Sequence, residues 1–140
     1  MIRFQGWSIV AGDAQGKALV ADVPLSFWGV VDPDSGKILD RRHPLAGMSA
    51  TGRVLVIPSG RGSCSGSGVI LESIRNGTAP AAIILSRLDP IIGLGAILGD
   101  ELYGACPVTL IVSDEDRRRL LPDALVTITV DGTVTATPST

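Results

Sequence analysis

The sequence predicts an α/β fold, a β/β/α sandwich with a parallel βαβ core beside an antiparallel β layer. Three apolar runs carry the first half of that prediction: Val54-Leu55-Val56-Ile57, Ala81-Ala82-Ile83-Ile84-Leu85 and Val108-Thr109-Leu110-Ile111-Val112. Each is short, continuous and bounded by turn residues, as strands buried on both faces are. Helical segments lie between them, so strand and helix alternate as in a parallel sheet. The beginning and end of the chain read differently, as short β segments divided by Gly, Asp and Pro turns. They supply the antiparallel layer.

The first third contains strand-like residues 7–10 and 18–23, split by Gly12-Asp13-Ala14-Gln15-Gly16. Pro24-Leu25-Ser26-Phe27-Trp28-Gly29-Val30-Val31 follows, then a turn at Asp32-Pro33-Asp34-Ser35-Gly36 and a short strand over 37–40 before His43-Pro44. From Arg53 the alternating pattern begins. A helix is predicted over 65–76, stopped by Asn76-Gly77. Asp89-Pro90 supplies an N-cap and an N1 proline for a second helix running towards Tyr103-Gly104, which Gly93, Gly95 and Gly99 weaken. Ser113 with Asp116 resembles a capping box for a short third helix that ends by Pro122. Residues 125–137 alternate as a hairpin turned at Asp131-Gly132.

At 140 residues the chain has the length of one domain, over 1–140, with no internal repeat or linker. Hydrophobic residues make up 45% and charged ones 19%, a balance that favours buried strands and a covered interface. No apolar run reaches the roughly eighteen residues of a membrane span. The N-terminus has no signal-peptide pattern, so the expected location is cytoplasmic, with no membrane partner. A net charge of −2 without a basic face argues against nucleic acid. Arg117-Arg118-Arg119 reads as a solvated helix end. Cys64 and Cys106 are not expected to form a disulfide in a cytosolic protein. Two thiols and one histidine fall short of the about four ligands a zinc or iron–sulfur site needs, so this chain alone is expected to bind no metal.

The most informative segment is Pro58-Ser59-Gly60-Arg61-Gly62-Ser63-Cys64-Ser65-Gly66-Ser67-Gly68. A buried strand empties into a glycine- and hydroxyl-rich loop that opens a helix, where backbone N–H groups and the helix dipole favour an anion. A phosphate loop would end in Gly-Lys-Ser/Thr, which is missing here. Gly62-Ser63-Cys64-Ser65-Gly66 fits a nucleophile elbow with Cys64 at its tip, the basis for a stand-alone cysteine hydrolase. The only imidazole available to it is His43, in another segment. A third reading makes Ser63 a proton-transfer group above the helix N-terminus, with Arg61 gripping a substrate carboxylate through its planar fork. The plainest reading is a tight turn in which Ser63 or Ser65 merely caps the helix. A non-catalytic interaction module is compatible with that last reading.

Several motifs in order resemble one family. Pro24-Leu25-Ser26-Phe27-Trp28-Gly29 with Asp32-Pro33, Gly36-Lys37-Ile38, His43-Pro44-Leu45-Ala46-Gly47, the 60–68 loop and Asn76-Gly77-Thr78-Ala79-Pro80-Ala81-Ala82-Ile83-Ile84 together resemble the small subunit of aconitase X. The likeness covers nearly the whole chain. Val30 departs from it, where a second glycine is expected. The resemblance implies a swivelling β/β/α domain, like the small subunits of aconitase and isopropylmalate isomerase. It implies an aconitase X large subunit as partner, with the iron–sulfur cluster on that subunit. It also implies dehydration of a small hydroxy acid, with Ser63 as the base. The expected substrate is cis-3-hydroxy-L-proline, giving a pyrroline carboxylate; the alternative within the family is phosphomevalonate.

Arg61, Gly62, Cys64, Ser65, Asp32 and His43 are the expected substrate-binding residues. Each has a structural reading beside it. Asp32 fits an Asx turn, His43 a structural hydrogen bond, and Phe27 and Trp28 core or subunit interface. Cys106 before Pro107 reads as a buried thiol, and Glu72 as a solvated or paired charge.

Overall fold

The computed structural model describes residues 1–27, 29–61, 66–104 and 107–138. Its elements in chain order are β1 (Ile2–Gln5), β2 (Trp7–Val10), β3 (Ala14–Val20), β4 (Val54–Val56), α1 (Gly66–Asn76), β5 (Ala82–Leu85), α2 (Pro90–Tyr103), β6 (Val108–Ile111), α3 (Asp114–Arg118), β7 (Leu125–Ile128) and β8 (Thr133–Thr137). The three continuous apolar runs become β4, β5 and β6. They pair in parallel with each other and with the second half of β3, in register Ala18–Val54–Ala82–Val108.

The strand order is β1-β8-β7-β3-β4-β5-β6-β2. Its two outermost strands, β1 and β2, are separated in the chain by Gly6 alone. The ends of the order therefore meet, and the sheet folds back on itself into two layers. Strand β3 belongs to both layers. Ala14 to Lys17 pair antiparallel with β7, while Ala18 to Val20 pair parallel with β4. Residues 14–16, expected as a turn, are thus the first half of a strand. Gly16 there lets the β3 backbone pass close to residues 52–54, since a Cβ would lie 2.7 Å from the Gly52 carbonyl oxygen. β1 is a further strand that the expectations did not include.

Alternation along the parallel strands sorts the core into two layers. Val54, Val56, Ala82, Ile84, Val108 and Leu110 point inward to meet Phe4, Val126, Ile128 and Val134 of the antiparallel layer. Their neighbours Leu55, Ile57, Ile83 and Leu85 point outward, under Ile70 of α1, Ile92 of α2 and the 25–50 segment. That segment forms no long strand. It is held by single bridges, Leu25 to Gly60, Val31 to Ile38 and Lys37 to Ser49, and by buried Leu25, Phe27, Val31, Ile38 and Leu45. Phe27 is core, one of the two alternatives read for it; Trp28 lies outside the described residues.

The helix boundaries follow the capping chemistry. Asp89 Oδ2 accepts from the Ile92 amide at 3.0 Å, Pro90 opens α2, and Gly104 closes it in the left-handed region at φ 63°. Ser113 Oγ accepts from the Asp116 amide at 3.1 Å, as the capping pattern requires. Gly77, at φ 74°, follows the last residue of α1. The arginine run is not wholly solvated. Arg117 is 3% exposed and its Nη2 lies 2.7 Å from Asp22 Oδ1 and 3.3 Å from Asp114 Oδ1. Arg119 pairs with Asp116 and stacks over Phe4. Spacing could not separate Arg117 from its neighbours, because only the tertiary fold brings Asp22 to it. Among the described residues no helix is long and apolar enough to cross a membrane.

Candidate active-site cleft

Segments that follow the carboxyl ends of β3 and β4 line one edge of a cleft, the end of a parallel sheet where ligands commonly bind. Beyond β4 the chain continues as a rigid stem. The Leu25 amide donates to the Ser59 carbonyl at 3.2 Å, and the Ser86 and Arg87 amides donate to the Pro58 carbonyl at 3.0 and 3.1 Å. Arg87 Nη2 adds a bond to Ser59 Oγ at 3.2 Å. Gly60 is required by packing: a Cβ there would strike the Asp89 carboxylate and lie 2.7 Å from Ile92 Cδ1. Arg61 is the first residue beyond this stem, and its side chain is exposed.

The buried guanidinium of Arg117, paired with two exposed carboxylates, braces the stem. Arg117 Nε donates to Ser86 Oγ at 3.1 Å, and Ser86 in turn lies 3.3 Å from the Pro58 carbonyl oxygen. The Ser86 hydroxyl, opposed by partial desolvation and aided by the Arg117 guanidinium, holds the Asp114 carboxyl below its ordinary range.

The cleft has a volume of about 580 Å³ and is lined by Val23, Pro24, Ser26, Val30, Asp40, Arg42, His43, Pro44 and Arg61. It brings Arg61 and His43 together from segments far apart in sequence. Val30, the position that departs from the family pattern, is part of its wall. Arg42 is the residue that sequence reasoning missed. Its signal was the basic pair Arg41-Arg42 directly before His43. Among the described residues no salt bridge engages the guanidinium of Arg42 or Arg61. With one carboxylate, Asp40, against two guanidiniums, the wall favours a small anion.

The hydrogen bonds of His43 assign the tautomer of its neutral ring. The Leu45 amide donates to Nδ1 at 3.1 Å, so Nδ1 presents its lone pair and the proton resides on Nε2. Nε2 lies 3.2 Å from the Pro24 carbonyl oxygen and donates to it. Both nitrogens therefore serve the backbone, tying the 40–47 turn across to Pro24. Asp32 is not part of the cleft wall. Its Oδ1 accepts from the Asp34 amide at 3.0 Å and its Oδ2 from Ser35 Oγ at 3.0 Å, the geometry of an Asx turn.

Gly62, Ser63, Cys64 and Ser65 lie outside the described residues, as does Cys106. In the chain they stand between Arg61 and Gly66, the first residue of α1. At the far end Ser67 Oγ donates to the Ile91 carbonyl at 2.6 Å, locking the first turn of α1 to α2.

The family model described as the aconitase X swivel domain matches residues 3–136. The chain belongs to the aconitase X swivel-domain family. It is 56% identical over 97 residues to the cis-3-hydroxy-L-proline dehydratase of Pseudomonas aeruginosa, a match covering 69% of this chain and 17% of that protein. The enzyme of the same name from Hypocrea jecorina is 39% identical over 90% of this chain and 21% of its own length. The phosphomevalonate dehydratase small subunit of Methanothermobacter thermautotrophicus is 51% identical over 64% of this chain and 69% of that subunit. The chain thus spans about a fifth of the curated hydroxyproline dehydratases it matches. A crystal structure of Thermococcus kodakaraensis aconitase X, in its holo-form, superposes with a TM-score of 0.87 at 33% identity, covering 99% of this chain and 100% of that one. The swivel-domain fold expected from the motifs is the fold found.

The donors present do not fit an iron–sulfur cluster. The whole sequence has two cysteines and one histidine, and among the described residues no three His, Cys, Asp or Glu side chains converge.

Proposed function

We propose that this chain is the small, swivelling part of an aconitase X-type hydro-lyase and that residues 1–140 move as one body. A larger aconitase X chain would complete the site and hold the iron–sulfur centre, and the assembly would work in the cytoplasm. The observation that carries this reading is the cleft itself. Arg61, anchored one residue beyond the braced stem, shares it with Arg42 and the fixed turn of His43. Such a wall suits a small carboxylate, and in sequence Arg61 directly precedes residues 62–65.

Dehydration removes a proton from carbon and hydroxide from the neighbouring carbon, leaving a double bond and one water. This chain's share is to bind and orient. Arg61 takes the carboxylate in a two-point grip, and Ser63, deprotonated to the alkoxide beforehand, receives the proton as base and returns to the hydroxyl. Gly62, Cys64 and Ser65 take part in binding the substrate. His43 and Asp32 act through the backbone, one holding the cleft wall and the other the turn at 32–36. The substrate proposed is cis-3-hydroxy-L-proline, the compound in the name of the Pseudomonas aeruginosa relative. Phosphomevalonate is the second reading; the additional guanidinium of Arg42 favours it, because a phosphate would need a second cation.

Reconstitution with an aconitase X large chain under anaerobic conditions tests the proposal against both substrates. Ser63→Ala is expected to lower kcat by about 10² or more, and Arg61→Lys to act chiefly on KM. Near-normal turnover in Ser63→Ala removes Ser63 from the chemistry. The cysteine hydrolase reading predicts activity in the isolated chain, abolished by a thiol reagent at Cys64. The backbone contacts of both His43 nitrogens weigh against it, since no other imidazole exists to activate that thiol.

A further inference from the structure

Helices α1 and α2 present unlike outer faces. The exposed side of α1 carries Glu72 and Arg75, which pair at 3.9 Å, as on an ordinary solvated helix. α2 has no charged residue from Pro90 to Gly99. Its inner face is accounted for: Gly95 packs against Ile70, where a Cβ would lie 3.0 Å from the Ile70 Cβ, and Gly93 faces Ile9. Its outer face is not. Pro90, Leu94 and Ile97 follow at helical spacing in one stripe that continues from Leu88. Leu88, Leu94 and Ile97 are 57%, 51% and 46% exposed.

We propose that this stripe is the docking surface for the large aconitase X chain, an inference that rests on the function proposed above. Two observations select that occupant. First, α2 begins at the rim of the candidate site, with Asp89 packed on Gly60 and Ile91 bonded to Ser67 at the entrance to α1. A chain that reaches Gly60 and the start of α1 from outside also passes over Leu88 and Pro90. Second, about four-fifths of each curated hydroxyproline dehydratase lies beyond the part this chain matches. That mass must rest on the swivel domain wherever the site is completed. The stripe ends at exposed Asp100 and Glu101, and α2 carries no cation. The complementary patch on the large chain is therefore apolar, bordered by Lys or Arg at the end that meets those two acids.

The test pairs Leu94→Asp/Ile97→Lys with a control, Val130→Lys, a still more exposed apolar site in the β7–β8 turn. Affinity for the purified large chain is measured by calorimetry, with circular dichroism melts alongside. The double variant should bind at least about tenfold more weakly with an unchanged melt, and the control should bind within about twofold of wild type. A wild-type chain that binds no large chain removes the functional reading itself. Wild-type binding that survives the double substitution overturns only the docking face. A wild-type homodimer that the double variant dissolves gives the stripe to a second copy, and also overturns it. Hydrogen exchange on the unsubstituted complex is independent of any variant's folding. Protection of the α2 peptide on complex formation is expected, and an unchanged peptide overturns the proposal.

Discussion

The hairpin turn at 129–133 and the corner between β4 and α1 both rely on glycine, but their polar groups end in different places. In the hairpin, Gly132 sits at φ 85° with the Gly6 carbonyl oxygen 2.7 Å from where a Cβ would be. Around it the Thr133 amide donates to Asp131 Oδ1 at 3.1 Å, the Val130 amide to Asp13 Oδ1 at 3.0 Å, and Gln5 Nε2 to the Asp131 carbonyl at 2.6 Å. The turn closes on itself. At the other corner Gly60 is likewise claimed from within, by Asp89 and Ile92. Gly68 is not, for no described atom outside its own helix and chain neighbours comes within 4 Å of its Cβ position. Two guanidiniums in the adjoining cleft lack a salt bridge among the described residues. The first corner finds its partners within the chain; at the second, two guanidiniums and the face of Gly68 meet none among the described residues.

The largest expected effect breaks the part of the functional corner that is purely structural. Gly60→Val forces a side chain into the Asp89 carboxylate and Ile92. Overpacking of about 1–3 kcal/mol and a disturbed cap of about 1 kcal/mol should together lower the urea midpoint clearly. Asp89→Ala alone should cost about 1 kcal/mol, and the double variant less than the sum, because truncation makes room for the valine. Strict additivity would mean that the close approach at Gly60 does not govern the corner.

Arg117→Met ranks next. The guanidinium is buried, but Asp22 and Asp114 are 72% and 58% exposed and keep much of their water. The loss should therefore fall below the roughly 3–5 kcal/mol of a fully buried pair that loses one member. About 2 kcal/mol is expected from denaturant unfolding. Because Ser86 and the Pro58 stem lose their brace, KM in the assembled enzyme should rise as well. A stability loss with unchanged KM would uncouple the ion-pair cluster from the cleft.

These contrasts also explain what was legible in the sequence. The parallel core could be read because Val54–Val56, Ala82–Leu85 and Val108–Ile111 are apolar at every position but Thr109, and α2 because Asp89-Pro90 and Gly104 mark both ends. Strand β3 was misread at Ala14 to Gly16, since a glycine required by the close passage of residues 52–54 looks locally like a turn. Of the candidate site, Arg61 and His43 were legible from their motifs. The backbone bonds that immobilise His43 were not, because Pro24 meets it only in the folded chain. Arg42 escaped for the same reason. Its neighbours in sequence say nothing of Arg61 across the cleft.

A smaller effect distinguishes the hairpin by pH. The Thr129 hydroxyl, then the Thr133 amide and hydroxyl, hold the Asp131 carboxyl below its ordinary range. A depressed carboxyl contributes stability above its unfolded pKa and loses it as the pH falls through the lower folded value. The turn should therefore loosen only below about pH 4. Amide exchange of Thr133 should accelerate relative to its intrinsic rate in that window, and Asp131→Asn should flatten the dependence. The same acid-dependent acceleration in Asp131→Asn would place the titrating group elsewhere.

The smallest stability change bears most directly on the open corner. Gly68 lies in the first turn of α1 without a left-handed φ, so alanine fits its backbone. Gly68→Ala should stabilise the isolated chain by about 0.5–1 kcal/mol, through the usual entropic cost of glycine in a helix. If the space above Gly68 receives substrate or the large chain, the same methyl group must weaken assembly or turnover. Melting temperature and reconstituted kcat/KM should then move in opposite directions. A variant more stable and equally active would show that nothing enters that space. The contrast between the two corners would then rest on the cleft cations alone. A variant more stable and less active would make Gly68 the point where helix stability yields to the needs of the assembled site.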